Sequence, residues 1–290
     1  MTGDHELHSA STYAASVALH REVTGEGATV VMLPSSGMSA RQWKRLGEGL
    51  GQTGAFRVVA VDLLGTGKNA PWPDEEPFHF HDDVRAVGRV LDDLDVGKVS
   101  IVAHSYGALV GLTLARALPE RVRSLALYEP VAMGVLHAEP PDPSLSSLAG
   151  EPLPSNPSGH FLDPAFGGTD AWLEQFIDYW SGKGAWNALL PQSQDEMRRV
   201  GKKVASEVRS LLADRTTGRA YAGVTAPSLL LSGSESPRAA RRVAELVAGA
   251  LPHGRFVSLS GLGHMAPITH GAMVNPQILE HLRLHGMADP

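Results

Sequence analysis

The sequence predicts an α/β fold: a mostly parallel, doubly wound sheet with a helical insertion. Three observations predict it. Val30-Val-Met-Leu33, Val58-Val-Ala-Val61 and Ser228-Leu-Leu-Leu231 are short, continuous apolar runs, as strands buried on both faces require. Amphipathic stretches of helical period separate them, as in a sheet covered on both sides. Between residues 131 and 223 this alternation stops.

In chain order, the expected strands are Ala15–Val23, Thr29–Leu33, Arg57–Asp62, Lys98–His104, Val122–Tyr128, Ser228–Ser232 and Arg255–Leu259. Each is rich in β-branched or aliphatic residues and ends near Gly, Pro, Ser or Asp. The expected helices are Ser39–Leu50, His81–Asp93, Tyr106–Leu118, Pro237–Ala250 and Ala272–His285, which repeat apolar residues at three- and four-residue steps. Residues 1–130 and 224–290 thus form one core. From 137 to 168 the chain is dense in Pro, Ser and Gly, and a long irregular stretch in a compact domain is usually a functional lid or a mobile segment. Helical period returns at Thr169–Ser181 and Ser193–Ala213. Residues 131–223 therefore read as a helical cap inserted between two strands.

Composition narrows the function. An apolar fraction of 43% with 19% charged residues describes a globular protein able to bury a core. A net charge of −6 argues against nucleic acid or an anionic membrane as partner. The absence of cysteine excludes disulfides and thiolate chemistry. No His/Asp/Glu cluster has metal-ligand spacing, and no cofactor is called for. The N-terminal residues have no basic start and no apolar core, so no secretory signal is read there. No run approaches the roughly 18–20 apolar residues of a membrane span, so a cytoplasmic location is expected. Oligomeric state is not legible.

The chemistry centres on Ser105, in Ser100-Ile-Val-Ala-His-Ser-Tyr-Gly-Ala-Leu-Val-Gly111. An apolar strand ends at His104 and a helix of small residues starts after Ser105. A serine on so sharp a turn needs small neighbours two before and two after, and Ala103 and Gly107 meet that need. The turn also sets the hydroxyl at a helix N-terminus, where developing negative charge is favoured.

This segment resembles the nucleophile turn of the α/β-hydrolase superfamily, with Ala103 in place of the first Gly of G-x-S-x-G. Four more segments carry the resemblance, which covers nearly everything outside the insertion: Val30-Val-Met-Leu-Pro-Ser-Ser-Gly37, Val61-Asp-Leu-Leu-Gly-Thr-Gly67, Leu125-Ala-Leu-Tyr-Glu-Pro130 and Gly261-Leu-Gly-His-Met-Ala-Pro267. It implies an α/β-hydrolase fold and hydrolysis of an ester-like bond.

A serine hydroxyl needs an imidazole within hydrogen-bond reach to attack at neutral pH. Among 13 histidines, His264 is placed for this by its Gly-rich loop after the last strand; His270 lies nearer the next helix and His253 precedes its strand. The acid that holds the imidazole is less plain. The family's usual position, after the penultimate strand, matches Ser236, which carries no charge. Glu129 ends the strand after the nucleophile helix, a place from which some superfamily members take their acid. Glu235 is the alternative acid, and a site without an acid is the third possibility. The oxyanion hole is expected to use the amides of Tyr106 and, from the alignment of the 34–37 loop, Ser36. Asp62, Gly65 and Gly67 read as a braced tight loop, and Asp82-Asp83 and Asp92-Asp93 as solvated charges on a helix. In the insertion, Trp172, Phe176, Tyr179, Trp180 and Trp186 lie at near-helical spacing. They read as an apolar roof over Ser105 or, equally, as ordinary helix packing; Met265 is a further candidate for the pocket.

The expectation is a serine hydrolase acting on a hydrophobic small molecule. Its rivals are a cyclase, lyase or C–C-bond-cleaving enzyme on the same scaffold, and a ligand receptor that barely turns over.

Overall fold

The computed structural model describes residues 11–137 and 160–287. Most of the irregular stretch expected at 137–168, and the polar first ten residues, lie outside the described residues. Seven strands form one sheet: β1 (Arg21–Thr24), β2 (Ala28–Leu33), β3 (Phe56–Val61), β4 (Val99–His104), β5 (Val122–Tyr128), β6 (Ser228–Gly233) and β7 (Gly254–Leu259). Their order is β1-β3-β2-β4-β5-β6-β7. Only β1 runs antiparallel, at the edge on β3. The remaining pairs are parallel, as the continuous apolar runs require.

The pleat divides the core in two. Val31, Leu33, Ile101, Ala103, Leu125 and Leu127 face one side, packed by α3 (Phe80–Asp93), α4 (Tyr106–Ala117) and the helix Arg238–Ala250. Val30, Met32, Val102, Ala126 and Tyr128 face the other, covered by α2 (Lys44–Gly51) and the C-terminal helix Gly271–His285. α4 packs so closely that a Cβ on Gly107 would lie 2.3 Å from the Pro34 carbonyl oxygen, so its glycine is obligatory.

The first expected strand is corrected. Only Arg21–Thr24 pairs, and residues Thr12–Ser16 form a short helix, α1. Ser11 caps it, its hydroxyl accepting from the Ala14 amide at 3.0 Å. An Ala- and Ser-rich segment with a good N-cap takes a helical turn where alternation alone reads as extended.

Between β5 and β6, the described part of the insertion holds helices at Asp170–Ser181, Ala185–Ala188 and Pro191–Ala213. They share an apolar cluster of their own: Phe161, Trp172, Leu173, Trp186, Met197, Val200, Val204 and Val208. Residues at its two ends, Met133, Val135 and Tyr221 among them, pack into the main core instead. Among the described residues no helix is long and apolar enough to cross a membrane.

Candidate active site

At the C-terminal edge of the sheet, where open α/β sheets bind ligands, three strand ends converge. Ser105 follows β4 with φ 54°, and its amide donates to the Tyr128 carbonyl of β5 at 2.9 Å. A positive φ at a non-glycine residue is strained; here it lifts the side chain clear of the sheet at the start of α4. Glu129, directly after β5, also has a positive φ, 45°, and its amide is held by the Leu231 carbonyl of β6. His264 comes from the loop after β7. That loop is tied down by the Tyr128 hydroxyl, which donates to the Gly263 carbonyl at 2.8 Å.

The three side chains form one hydrogen-bonded row. His264 Nε2 lies 2.9 Å from Ser105 Oγ, and His264 Nδ1 lies 2.6 Å from Glu129 Oε2. The other carboxylate oxygen of Glu129 accepts from the Ser232 hydroxyl at 2.7 Å and the Gly233 amide at 2.8 Å. Burial works to raise the Glu129 pKa, but the hydrogen bond and charge of His264, with the Ser236 and Ser232 hydroxyls, outweigh it and hold the carboxyl below its usual range. An ionised Glu129 places the imidazole proton on Nδ1 and leaves Nε2 to accept from Ser105. Glu235, the alternative acid, is exposed; its carboxylate takes a hydrogen bond from the Ser234 hydroxyl at 3.2 Å. Ser236 is buried beside Glu129.

A second row of hydrogen bonds, not anticipated from the sequence, joins the 34–37 loop to the histidine loop. The Ser35 amide donates to Gln42 Oε1 at 3.1 Å. Gln42 Nε2 donates to His104 Nδ1 at 3.2 Å, and His104 Nε2 donates to the His264 carbonyl at 2.9 Å. His104 is fully buried, and burial first, then the neighbouring His264, holds its pKa well below the usual value. It is therefore neutral, as an imidazole that donates on one side and accepts on the other must be.

Ser36 and Ser105 wall two adjoining spaces. One is a cavity of about 520 Å³, within the range of small-molecule sites, lined by Ser36, Phe176, Trp180, Met197, His264 and Met265 among others. The other is a small apolar recess of about 20 Å³ between Val131, Met133, Phe161, Tyr179, Val208 and Leu212. The insertion's aromatics divide accordingly. Phe176, Tyr179 and Trp180 line these spaces, and the Trp180 ring lies over His264 with centroids 4.1 Å apart. Trp172 and Trp186 do not line them. Trp172 is fully buried between Phe161 and Phe176, and Trp186 sits in the same cluster. These two tryptophans pack the insertion itself.

Asp82 and Asp83 are not solvated. Both are buried, Asp82 closing a capping box with His79 and Asp83 accepting from the Leu64 amide at 2.8 Å. The other oxygen of Asp83 takes the Tyr106 hydroxyl and Lys203 Nζ, each at 2.8 Å. Lys203 also contacts Glu207 one turn on. Burial lowers the Lys203 pKa, but the Asp83 and Glu207 charges override it and hold the ammonium above its usual value. Burial raises Glu207, with Lys203 opposing. Among the described residues, Glu207 Oε2 has no partner of standard hydrogen-bond geometry; the Ser36 hydroxyl, in a looser contact, pulls its pKa down. Asp62 braces its loop as expected, accepting from the Ala40 amide at 2.6 Å and the Lys68 amide at 2.8 Å.

Comparison with known proteins agrees with this fold. The profile of the alpha/beta hydrolase family matches residues 30–276. A haloalkane dehalogenase of Agrobacterium fabrum is 35% identical over 117 residues, which span 40% of this chain but only 37% of the dehalogenase. The rhodomycin D methylesterase of a Streptomyces species is 27% identical over 282 residues, 88% of this chain and 91% of the relative. Among solved structures, a thermophilic esterase from Thermogutta terrifontis is similar in fold, with a TM-score of 0.67 at 20% identity over 93% of this chain and 94% of its own.

Proposed function

This chain belongs to the alpha/beta hydrolase family as a hydrolytic enzyme, and we propose that it is a serine hydrolase cleaving an ester, thioester or lactone of a hydrophobic small molecule. One observation carries the reading: the unbroken row Ser105–His264–Glu129, with contacts of 2.9 and 2.6 Å, whose hydroxyl end opens on a largely apolar cavity.

Each group then has a role. Ser105 Oγ attacks the carbonyl carbon while His264 Nε2 takes its proton. Glu129 keeps the proton on Nδ1 and stabilises the imidazolium. The negative charge that develops on the carbonyl oxygen is met by the amides of Tyr106, at the free N-terminus of α4, and Ser36. His264 returns the proton to the leaving group, and water repeats the sequence to release the acid. Trp180 over the imidazole shields it from solvent. The insertion acts as a cap whose Phe176, Tyr179 and Trp180 select apolar substrates.

The test is chemical. A fluorophosphonate probe at neutral pH should label the wild type and leave Ser105→Ala unlabelled, and short 4-nitrophenyl esters should give a burst of nitrophenol. Absence of both in the wild type would overturn the acyl-enzyme reading in favour of acid–base chemistry by His264 and Glu129 alone.

A further inference from the structure

We infer that Lys203, a cap residue with no contact to the reacting atoms, is a positioning residue that holds the oxyanion hole in register. The inference rests on the serine-hydrolase reading above. Of the two residues that supply the proposed amides, Tyr106 is hydrogen-bonded through its side chain to one carboxylate that Lys203 joins, and Ser36 lies beside the other. The Tyr106 hydroxyl and Lys203 Nζ share Asp83 Oδ2 at 2.8 Å each. The ammonium also lies 5.0 Å from the centre of the Tyr106 ring and 4.6 Å from that of Phe78. On its other side Lys203 contacts Glu207, the carboxyl that the Ser36 hydroxyl faces.

Four segments meet here that are distant in sequence: the loop after β2, α3, the first residue of α4 and the long cap helix Pro191–Ala213. Asp83, Lys203 and Glu207 are 0–3% exposed, so the contacts are neither screened by salt nor loosened by water. Stability does not explain such a cluster. A buried group of ion pairs gains little over well-packed neutral side chains of similar size. A catalytic hole does require it, because amide donors must be held within roughly 0.5 Å of their working positions. The first oxygen of Asp83 is fixed by the Leu64 amide, so the carboxylate is an immobile post for both Tyr106 and the cap helix.

The experiment separates positioning from structure. Lys203→Met alone strands two buried carboxylates, so the informative variant is the near-isosteric, uncharged triple Asp83→Asn, Lys203→Met, Glu207→Gln. It should fold, by circular dichroism, and keep KM for a short nitrophenyl ester within about threefold. Its kcat should fall about 10–100-fold, short of losing a donor outright. Affinity for a trifluoromethyl ketone, which forms an oxyanion on Ser105, should fall by the same factor, while that for the matching methyl ketone stays unchanged. Tyr106→Phe, which removes one hydroxyl and keeps the amide, should show the same pattern more weakly, and decides the matter if the triple variant does not fold. A folded variant with wild-type kcat and ketone affinity, or one in which both ketones weaken together, would overturn the inference. Failure of the wild type to label or turn over would instead remove the serine-hydrolase reading on which it stands.

Discussion

Replacing Glu129 by Gln tests the site most sharply, because the geometry fixes what the amide must do. The carboxylate serves three donors: the Ser232 hydroxyl and Gly233 amide on Oε1, and His264 Nδ1 on Oε2. Glutamine has one oxygen and one NH₂. If the oxygen stays with Ser232 and Gly233, the NH₂ faces His264, forces Nδ1 to accept and puts the proton on Nε2, where it blocks removal of the Ser105 proton. If the amide flips, the correct tautomer survives but the NH₂ meets the Gly233 N–H. A buried unsatisfied donor costs about 1–3 kcal/mol, so the unproductive orientation is favoured by roughly 5–150-fold. Loss of the carboxylate charge opposite the imidazolium adds to this. In the serine-protease template the equivalent change costs about 10⁴ in kcat. Glu129→Gln should therefore lower kcat by on the order of 10²–10⁴ with the fold intact, measured by steady-state ester hydrolysis beside circular dichroism. Glu235→Gln, at an exposed carboxylate, should stay within about tenfold of wild type. If Glu129→Gln also stays within tenfold, or if the two variants rank the other way, the argument is refuted.

Other outcomes follow from the same structure. Trp172→Ala should cost about 3–5 kcal/mol of stability, since the ring is fully buried between two aromatics; Trp180→Ala should cost less, since its ring is only partly buried against the main core, and should lower kcat about 3–30-fold by uncovering the imidazole. An equal loss of stability in both would contradict the division drawn between packing and lining residues. His281 is 4% exposed, and burial with the charge of nearby His285 lowers its pKa to about 4. A histidine with a depressed folded pKa contributes stability that is complete above its unfolded value of about 6.5 and is lost as pH falls towards 4. At about 1.4 kcal/mol per pH unit between 6.5 and 4, the loss is on the order of 3.5 kcal/mol, read from urea unfolding midpoints between pH 7 and 4. His281→Asn should flatten that decline, and an unchanged pH profile in the variant would refute the assignment.

The features legible in the sequence are those whose signal is local. Continuous apolar runs mark the parallel strands because burial on both faces leaves no room for polar alternation. Ser105 is legible because its turn needs small neighbours on both sides, and His264 because its loop follows the last strand. Glu129 is legible only as a carboxylate at a strand end; that it, and not Glu235, faces the imidazole depends on sheet order, which a single sequence does not print. Asp82 and Asp83 read as solvated charges, and Lys203 and Glu207 carry no signal at all, because helical period records which residues share a face, not what that face meets. Lys203 and Asp83 are 120 residues apart in the chain. The same limit applies to Trp172 and Trp180 on one helix: spacing makes both apolar, and only the fold sends one into the insertion's interior and the other onto His264. Ala15 and Ser16, read as the start of the first strand, misled for the opposite reason, a weak alternation outvoted by a capped turn.

The seat of the acid also constrains how this enzyme can change. Ser236, at the position where the family usually carries its acid, is buried against Glu129. An aspartate introduced there while Glu129 remains would set two carboxylates side by side in a closed space, and like charges so placed cannot both ionise. One would hold a proton at neutral pH, and the imidazole would lose a full counter-charge or gain a competitor for its Nδ1 proton. Removing Glu129 first leaves the histidine without any acid. On the proposed triad, each single step between the two arrangements therefore crosses a less active enzyme.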